Sequence, residues 1–370
     1  MAMNDRVANA RRRVTGLAIR GLSAMTAKRL SAVIRSFPDL DDSTRALTKV
    51  LLERAIPVTV LTNRKAVRPN WLDSSIEVLD VHSPRGLKAY LSASHVFFTH
   101  GAYGSPPPTS AQTIVNIWHG MPLKKIERDL GRSWCPSFSY TIATSPRFRT
   151  VVARSFGVSE DKVLLVGHPR TDILLSSPGT SSGSGFVAWL PTYRKSVLGA
   201  HHHDGSAQTG APSRDTVEKT CTQLAARGMR LVVKLHPMAD PIEFGSFRDG
   251  GATVVDDCWL SDRGLTLYEW LSGASALVTD YSSIAVDFLV TGRPVVIAVG
   301  DLSEYRASRG LNFSLPELAL LGTIVEDMSE LPDALAQALG GPGVGSGTFD
   351  LYYSVERGSS TEDLLDRVGL

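Results

Sequence analysis

The chain has 370 residues, of which 43% are hydrophobic and 21% charged, the balance of an ordinary globular protein with room for two domains, each with its own core. No stretch approaches the ~20 consecutive apolar residues of a membrane span. Arg20, Lys28 and Arg29 interrupt the N-terminal segment too often for a secretory leader, so a cytoplasmic protein is expected. Cys135, Cys221 and Cys258 lie far apart without CxxC spacing, which argues against a disulfide framework and a zinc site.

The formal net charge of +2 hides an asymmetry. Residues 1–36 carry Arg6, Arg11, Arg12, Arg13, Arg20, Lys28, Arg29 and Arg35 against Asp5 alone. Val14, Leu17, Leu22, Met25, Leu30 and Val33 recur near helical spacing, with Ile19 off the stripe and Gly16 and Gly21 weakening the helix. The pattern predicts a basic amphipathic segment over 1–36. Such a segment suits an anionic membrane surface; the alternative is a helix packed on the first domain with its basic face solvated. Aromatic residues do not interleave with the basic ones, so nucleic acid is not an expected partner.

From residue 37 onward, short apolar runs alternate with helical patterns. Val58–Leu61, Ile76–Val81, Val96–Thr99, Ile114–Trp118, Tyr140–Ala143 and Val163–Val166 read as strands, with helices at Ser43–Arg54, Pro84–Ser92 and Pro146–Phe156. The Ser/Gly-rich stretch from Ser176 to Gly185 reads as a linker. A second series has strands at Phe186–Leu190, Leu231–Leu235, Thr253–Val255, Ala276–Thr279, Val295–Ala298 and Thr323–Val325. Its helices are expected at Asp215–Arg227, Leu267–Ser272, Ile284–Thr291 and Leu331–Leu339, and Lys195–Pro212, with His201, His202 and His203, reads as a polar loop. Strand and helix in alternation predict parallel sheets covered on both faces. The expected architecture is α/β: two doubly wound, Rossmann-like domains, 37–180 and 181–370, facing across a cleft into which the strand ends open.

The informative residues fall just after strands. His119 lies in Trp118-His119-Gly120 directly after a strand, where an exposed imidazole can take a proton from an attacking hydroxyl. Lys124 and Lys125 follow, suited to phosphate or acidic lipid. His236, in Lys234-Leu235-His236-Pro237, ends a strand of the second domain. Asp280, Ser282 and Ser283 bridge a strand and a helix start, whose unpaired N–H groups and positive dipole end favour phosphate; simple capping is the alternative. Thr192 and Arg194 have the donors for phosphate oxygens. Arg170 follows another strand and either binds phosphate or pairs with Asp172, itself a candidate helix cap; Arg306 and Arg309 add two guanidinium groups or sit in a solvated loop. The GxxxxGK[ST] signature of ATP-binding loops is missing.

Together the segments WHGMPLKK (118–125), GHPRTDIL (167–174), WLPTYR (189–194), KLHP (234–237), TDYSSIAVDFLVTGRPVV (279–296) and EYRASRGLNF (304–313) resemble, in order, the CDP-glycerol glycerophosphotransferase family of teichoic-acid primases and polymerases. Met121, where the family usually has Thr, and Ser314, where an acidic residue is more usual, depart from its pattern. The resemblance covers roughly 37–368 and implies a GT-B fold, with His119 and His236 matching two functionally important histidines. It also implies CDP-glycerol or a related CDP-polyol as donor, a lipid-linked polymer as acceptor, and attachment at the inner face of the membrane. In the resulting reading Ser282, Ser283, Thr192, Arg194 and His236 hold the pyrophosphate and Asp287 meets the ribose. Arg306 or Arg309 neutralises the departing CMP, and His119 is the general base. No cofactor and no protein-held metal are expected. A GT-B glycosyltransferase and a silent scaffold of the cell-wall machinery are the rival readings.

Overall fold

The computed structural model describes residues 2–63, 67–132, 135–176, 185–191, 212–235, 245–300, 302 and 310–370. By internal contacts the chain forms two units. Unit 1 holds Met1–Met121, Ile126–Asp172 and Val355–Leu370; unit 2 holds Pro122–Lys125 and Ile173–Ser354.

Unit 1 is built on seven strands: β1 (Arg29–Arg35), β2 (Val58–Thr62), β3 (Glu77–Asp80), β4 (Ala93–Phe98), β5 (Thr113–Asn116), β6 (Tyr140–Ala143) and β7 (Val163–Leu165). All pairings are parallel and the spatial order is 3-2-1-4-5-6-7. The central strands read as unbroken apolar runs because both faces are covered: Ala32, Val33 and Ile34 in β1 and Val96, Phe97 and Phe98 in β4 are all buried. Unit 2 repeats the plan in six parallel strands, β8 (Phe186–Leu190), β9 (Arg230–Lys234), β10 (Thr253–Val255), β11 (Ala274–Thr279), β12 (Val295–Ala298) and β13 (Thr323–Val325), in the order 10-9-8-11-12-13. Val187, Trp189, Val233, Val278 and Val296 form its core with Leu224, Leu331 and Leu335 from covering helices. In both sheets the order reverses beside the first strand, between β1 and β4 and between β8 and β11, which opens a crevice at the carboxyl ends there.

The alternation expected from the sequence is found, with boundaries displaced by a few residues. Three expectations are corrected. First, the basic segment is not one amphipathic stretch over 1–36. Helix α1 spans Ala2–Met25, and β1 is a central strand of the sheet, paired with β2 through Val33↔Thr59 and with β4 through Val33↔Val96. The first unit therefore does not begin at residue 37. The apolar run Ala32–Ile34 forms a buried strand, a use that near-helical spacing conceals over so short a run. Second, the expected boundary near 180 is too simple, because residues 355–370 return to unit 1. The C-terminal helix Ser360–Val368 is fastened there at three points. Asp172 accepts from the N–H groups of Ser360 (3.0 Å) and Thr361 (2.7 Å), Arg54 pairs with Asp366 (2.6 Å), and the His95 ring meets the Val368 carbonyl (2.9 Å). Asp172 thus caps a helix remote in sequence. Third, residues 122–125 belong to unit 2, stitched to 310–312. Lys125 donates its N–H to Gly310 (3.1 Å) and Asn312 to Leu123 (2.8 Å), while the Asn312 amide side chain donates to the carbonyls of Pro122 (3.0 Å) and Lys124 (2.7 Å). Gly310 has φ +78°, and a Cβ there would meet the Lys125 side chain at 2.9 Å.

Helix α1 packs by small residues. Gly16, Ile19 and Ser23 are buried, and the Ser23 hydroxyl donates to Gln112 (3.0 Å). These positions share one face at 100° per residue. Val14 (68% exposed), Leu17 (61%) and Met25 (79%) occupy the other, with Arg11, Arg13 and Arg20 exposed beside them. Among the described residues no helix is long and apolar enough to cross a membrane.

Candidate active site

The carboxyl end of β5 carries the most closely organised group in unit 1. Asn116, the last strand residue, accepts the Trp118 N–H on its side-chain oxygen (3.0 Å). That turn sends Trp118 into the left-handed region at φ +54° and Gly120 to φ +128°. A bulky residue at positive φ stores strain of order 1–3 kcal/mol and persists only where its surroundings hold it. Here Phe156 packs edge-on against the indole, with ring centroids 4.9 Å apart. The result lifts His119 onto the exposed rim. Arg170, at the start of helix Arg170–Ser176, donates to the His119 carbonyl (3.1 Å). The guanidinium expected either to pair with Asp172 or to bind phosphate is therefore engaged with the backbone that presents His119.

Two further histidines meet this turn, and the sequence assigned a role to neither. His100, just beyond β4, stacks on His119 with centroids 4.6 Å apart and planes 12° from parallel. His168 is completely buried against the turn. Its ring faces the carbonyls of Ile117 and Trp118 without a well-formed bond to either. Burial, and then the Arg170 charge, hold its pKa well below the ordinary value, so it is neutral near pH 7. The signal for His100 was present: His100-Gly101 follows β4 as His119-Gly120 follows β5. His168 offered only a motif position.

In unit 2, Asp280 and Tyr281 at the end of β11 are buried, while Ser282 and Ser283 are half-buried. The helix that follows is short, Ile284–Phe288, and continues as a tighter turn over Leu289–Thr291. Ser283 stands at its cap position without a side-chain capping bond, and Ser282 Oγ receives the Ile284 N–H only at 3.5 Å. The capping alternative thus leaves both hydroxyls largely uncommitted. Asp287 has no exposed surface and accepts the Tyr268 hydroxyl at 2.6 Å. That is a core position, which corrects its expected place against a ribose. Lys234, before the second expected histidine, is buried and paired with Asp257 at 2.7 Å. Lys124 is half-buried and Lys125 exposed. His236, Thr192, Arg194, Arg306 and Arg309 lie outside the described residues, as do His201, His202, His203 and residues 177–184 of the expected linker.

The CDP-Glycerol:Poly(glycerophosphate) glycerophosphotransferase profile matches residues 20–368. The chain belongs to that family. Among its relatives is a teichoic acid glycerol-phosphate transferase of Staphylococcus aureus, 27% identical over 263 residues. That match covers 64% of this chain and 63% of the relative, so the chain spans less than two thirds of the relative's length. The structure of the wall teichoic acid polymerase TagF superposes with a TM-score of 0.70 at 18% identity, covering 95% of this chain and 92% of that one. A UDP-GlcNAc 2-epimerase from Neisseria meningitidis superposes at 0.52 and 11% identity, over 91% and 99% of the two chains. These likenesses make the fold GT-B-like, as its two Rossmann-type sheets require.

Proposed function

We propose that this protein transfers glycerol phosphate, or a related polyol phosphate, from a CDP-linked donor to a hydroxyl of a teichoic-acid-like polymer or its lipid-linked precursor. The observation that carries the reading is the turn after β5: an exposed imidazole on a strained, multiply braced backbone, in a chain matched by the family profile over residues 20–368. His119 takes the proton of the acceptor hydroxyl as its oxygen attacks the β-phosphorus. The bond from that phosphorus to the bridging oxygen breaks, and CMP leaves with the electron pair. Such transfer depends on positioning and charge stabilisation. Ser282 and Ser283 supply hydroxyls to the pyrophosphate, and Lys124 and Lys125 add positive charge. Thr192, Arg194, His236, Arg306 and Arg309 keep their donor-side roles on sequence grounds.

The exposed row on α1, with arginines beside it, supports attachment to an anionic membrane surface. Co-sedimentation with phosphatidylglycerol vesicles but not phosphatidylcholine vesicles checks this, with Leu17→Glu and Met25→Glu expected to abolish it. The reaction itself is tested by CMP release from CDP-glycerol and CDP-ribitol, with and without lipid-linked acceptors. No CMP from either donor overturns the donor assignment; release of UDP or GDP from a nucleotide sugar establishes the glycosyltransferase instead.

A further inference from the structure

The carboxyl ends of β1 and β4 meet at the point where the first sheet reverses its order. Thr99, buried after β4, receives the Phe37 N–H on its hydroxyl (2.9 Å), and the same oxygen lies 3.0 Å from His100 Nδ1. Phe37, 55% exposed, packs edge-on with the His100 ring, centroids 5.3 Å apart. Trp118 lies 6.0 Å from His100 and 4.0 Å from His119. The ring of His100 is thus fixed at its nitrogen and its edge, and its face is laid on His119.

We propose that His100 is the positioning residue for His119: its stacked, uncharged ring sets the orientation of the His119 imidazole and stabilises the charge that ring gains on accepting a proton. The proposal rests on the reading of His119 as general base. A neutral aromatic face beside a new cation attracts it, whereas a second cation at the same distance would oppose protonation. The surroundings keep His100 neutral. Packing around the ring, and secondarily the Arg35 guanidinium, push its pKa down to about 4. The charged and titratable groups facing the two rings are Arg35, itself paired with Asp39, together with Arg170, His168 and, through its charge on Arg170, Asp41. Arg35 disfavours a positive charge on His100, which leaves the proton to the His119 ring.

The test compares His100→Ala, His100→Phe and His100→Lys in the full chain. Each is checked for an unchanged melting profile, with CMP release measured against pH. His100→Ala lowers kcat about tenfold with donor KM little changed, and His100→Phe recovers most of the loss by restoring a stacked face. His100→Lys moves the acid limb of the kcat/KM profile to lower pH, because a nearby cation keeps the base unprotonated further down. Nuclear magnetic resonance of the ligand-free protein gives a readout independent of turnover: the ring-current-shifted His119 signals move in His100→Ala and largely return in His100→Phe. Unmoved His119 signals, or His100→Phe as slow as His100→Ala, overturn the proposal. A His119→Ala enzyme with full CMP release overturns the base reading instead, while leaving the resonance result standing.

Discussion

The two strand ends that carry the expected chemistry are built in opposite ways. The β5 end in unit 1 is crowded: a strained tryptophan, an arginine bound to the backbone, and two further histidines surround the His119 imidazole. The β11 end in unit 2 is spare, a short helix whose first hydroxyls make no strong capping bonds. A group that must accept a proton in one geometry needs its rotamer fixed before the reaction, which takes many contacts. A group that binds phosphate needs uncommitted donors, and contacts made in advance would consume them.

Removing the imidazole is the severest way to break that contrast. His119→Ala is expected to lower CMP release about a thousandfold at saturating donor, while calorimetric titration finds donor affinity intact. The double variant Ser282→Ala, Ser283→Ala should show the reverse pattern, with CDP-glycerol binding weakened about tenfold and kcat changed far less. Equal losses in kcat and affinity for both variants would erase the distinction between the two ends. Asn312→Ala strips two bonds from the 122–125 segment and should cost about 1–3 kcal/mol in urea unfolding, provided that unfolding is cooperative.

The smallest effect is a pH dependence to which the crowded end contributes. His168 and His100 titrate lower in the folded protein than the ordinary 6.5. Below that pH the unfolded chain binds more protons than the native one, so stability falls as pH drops from 6.5. For His100 the loss runs down to about 4. Melting temperatures at pH 7.5 and 5.0 measure it, and His168→Gln should narrow the difference. An unchanged difference would place the acid sensitivity elsewhere.

Much of the fold was legible because buried parallel strands read as apolar runs separated by helical patterns. Among the described residues, twelve of the thirteen strands, from β2 to β13, match apolar runs of the sequence. β1 did not, since Leu30 and Val33 continued a plausible helical stripe from α1. Of the site, His119 was legible from its place before a glycine at a strand tip. His100 carries the same mark after β4, but on its own a His-Gly pair there gives no reason for function. Its meaning comes from the His119 ring beyond the neighbouring strand end, whose centroid lies 4.6 Å away.

By itself the sequence determined the class of fold and the family, because each rests on local pattern or short ordered motifs. Tertiary structure alone decided that a stretch of the basic segment is a central strand, that the last helix returns to unit 1, and that Asp287 belongs to the core. It likewise brought Asn312 to the lysine-bearing segment and His100 to His119. These facts depend on contacts between residues far apart in the chain, and local periodicity contains no information about which distant strand end, helix or carbonyl a side chain will meet.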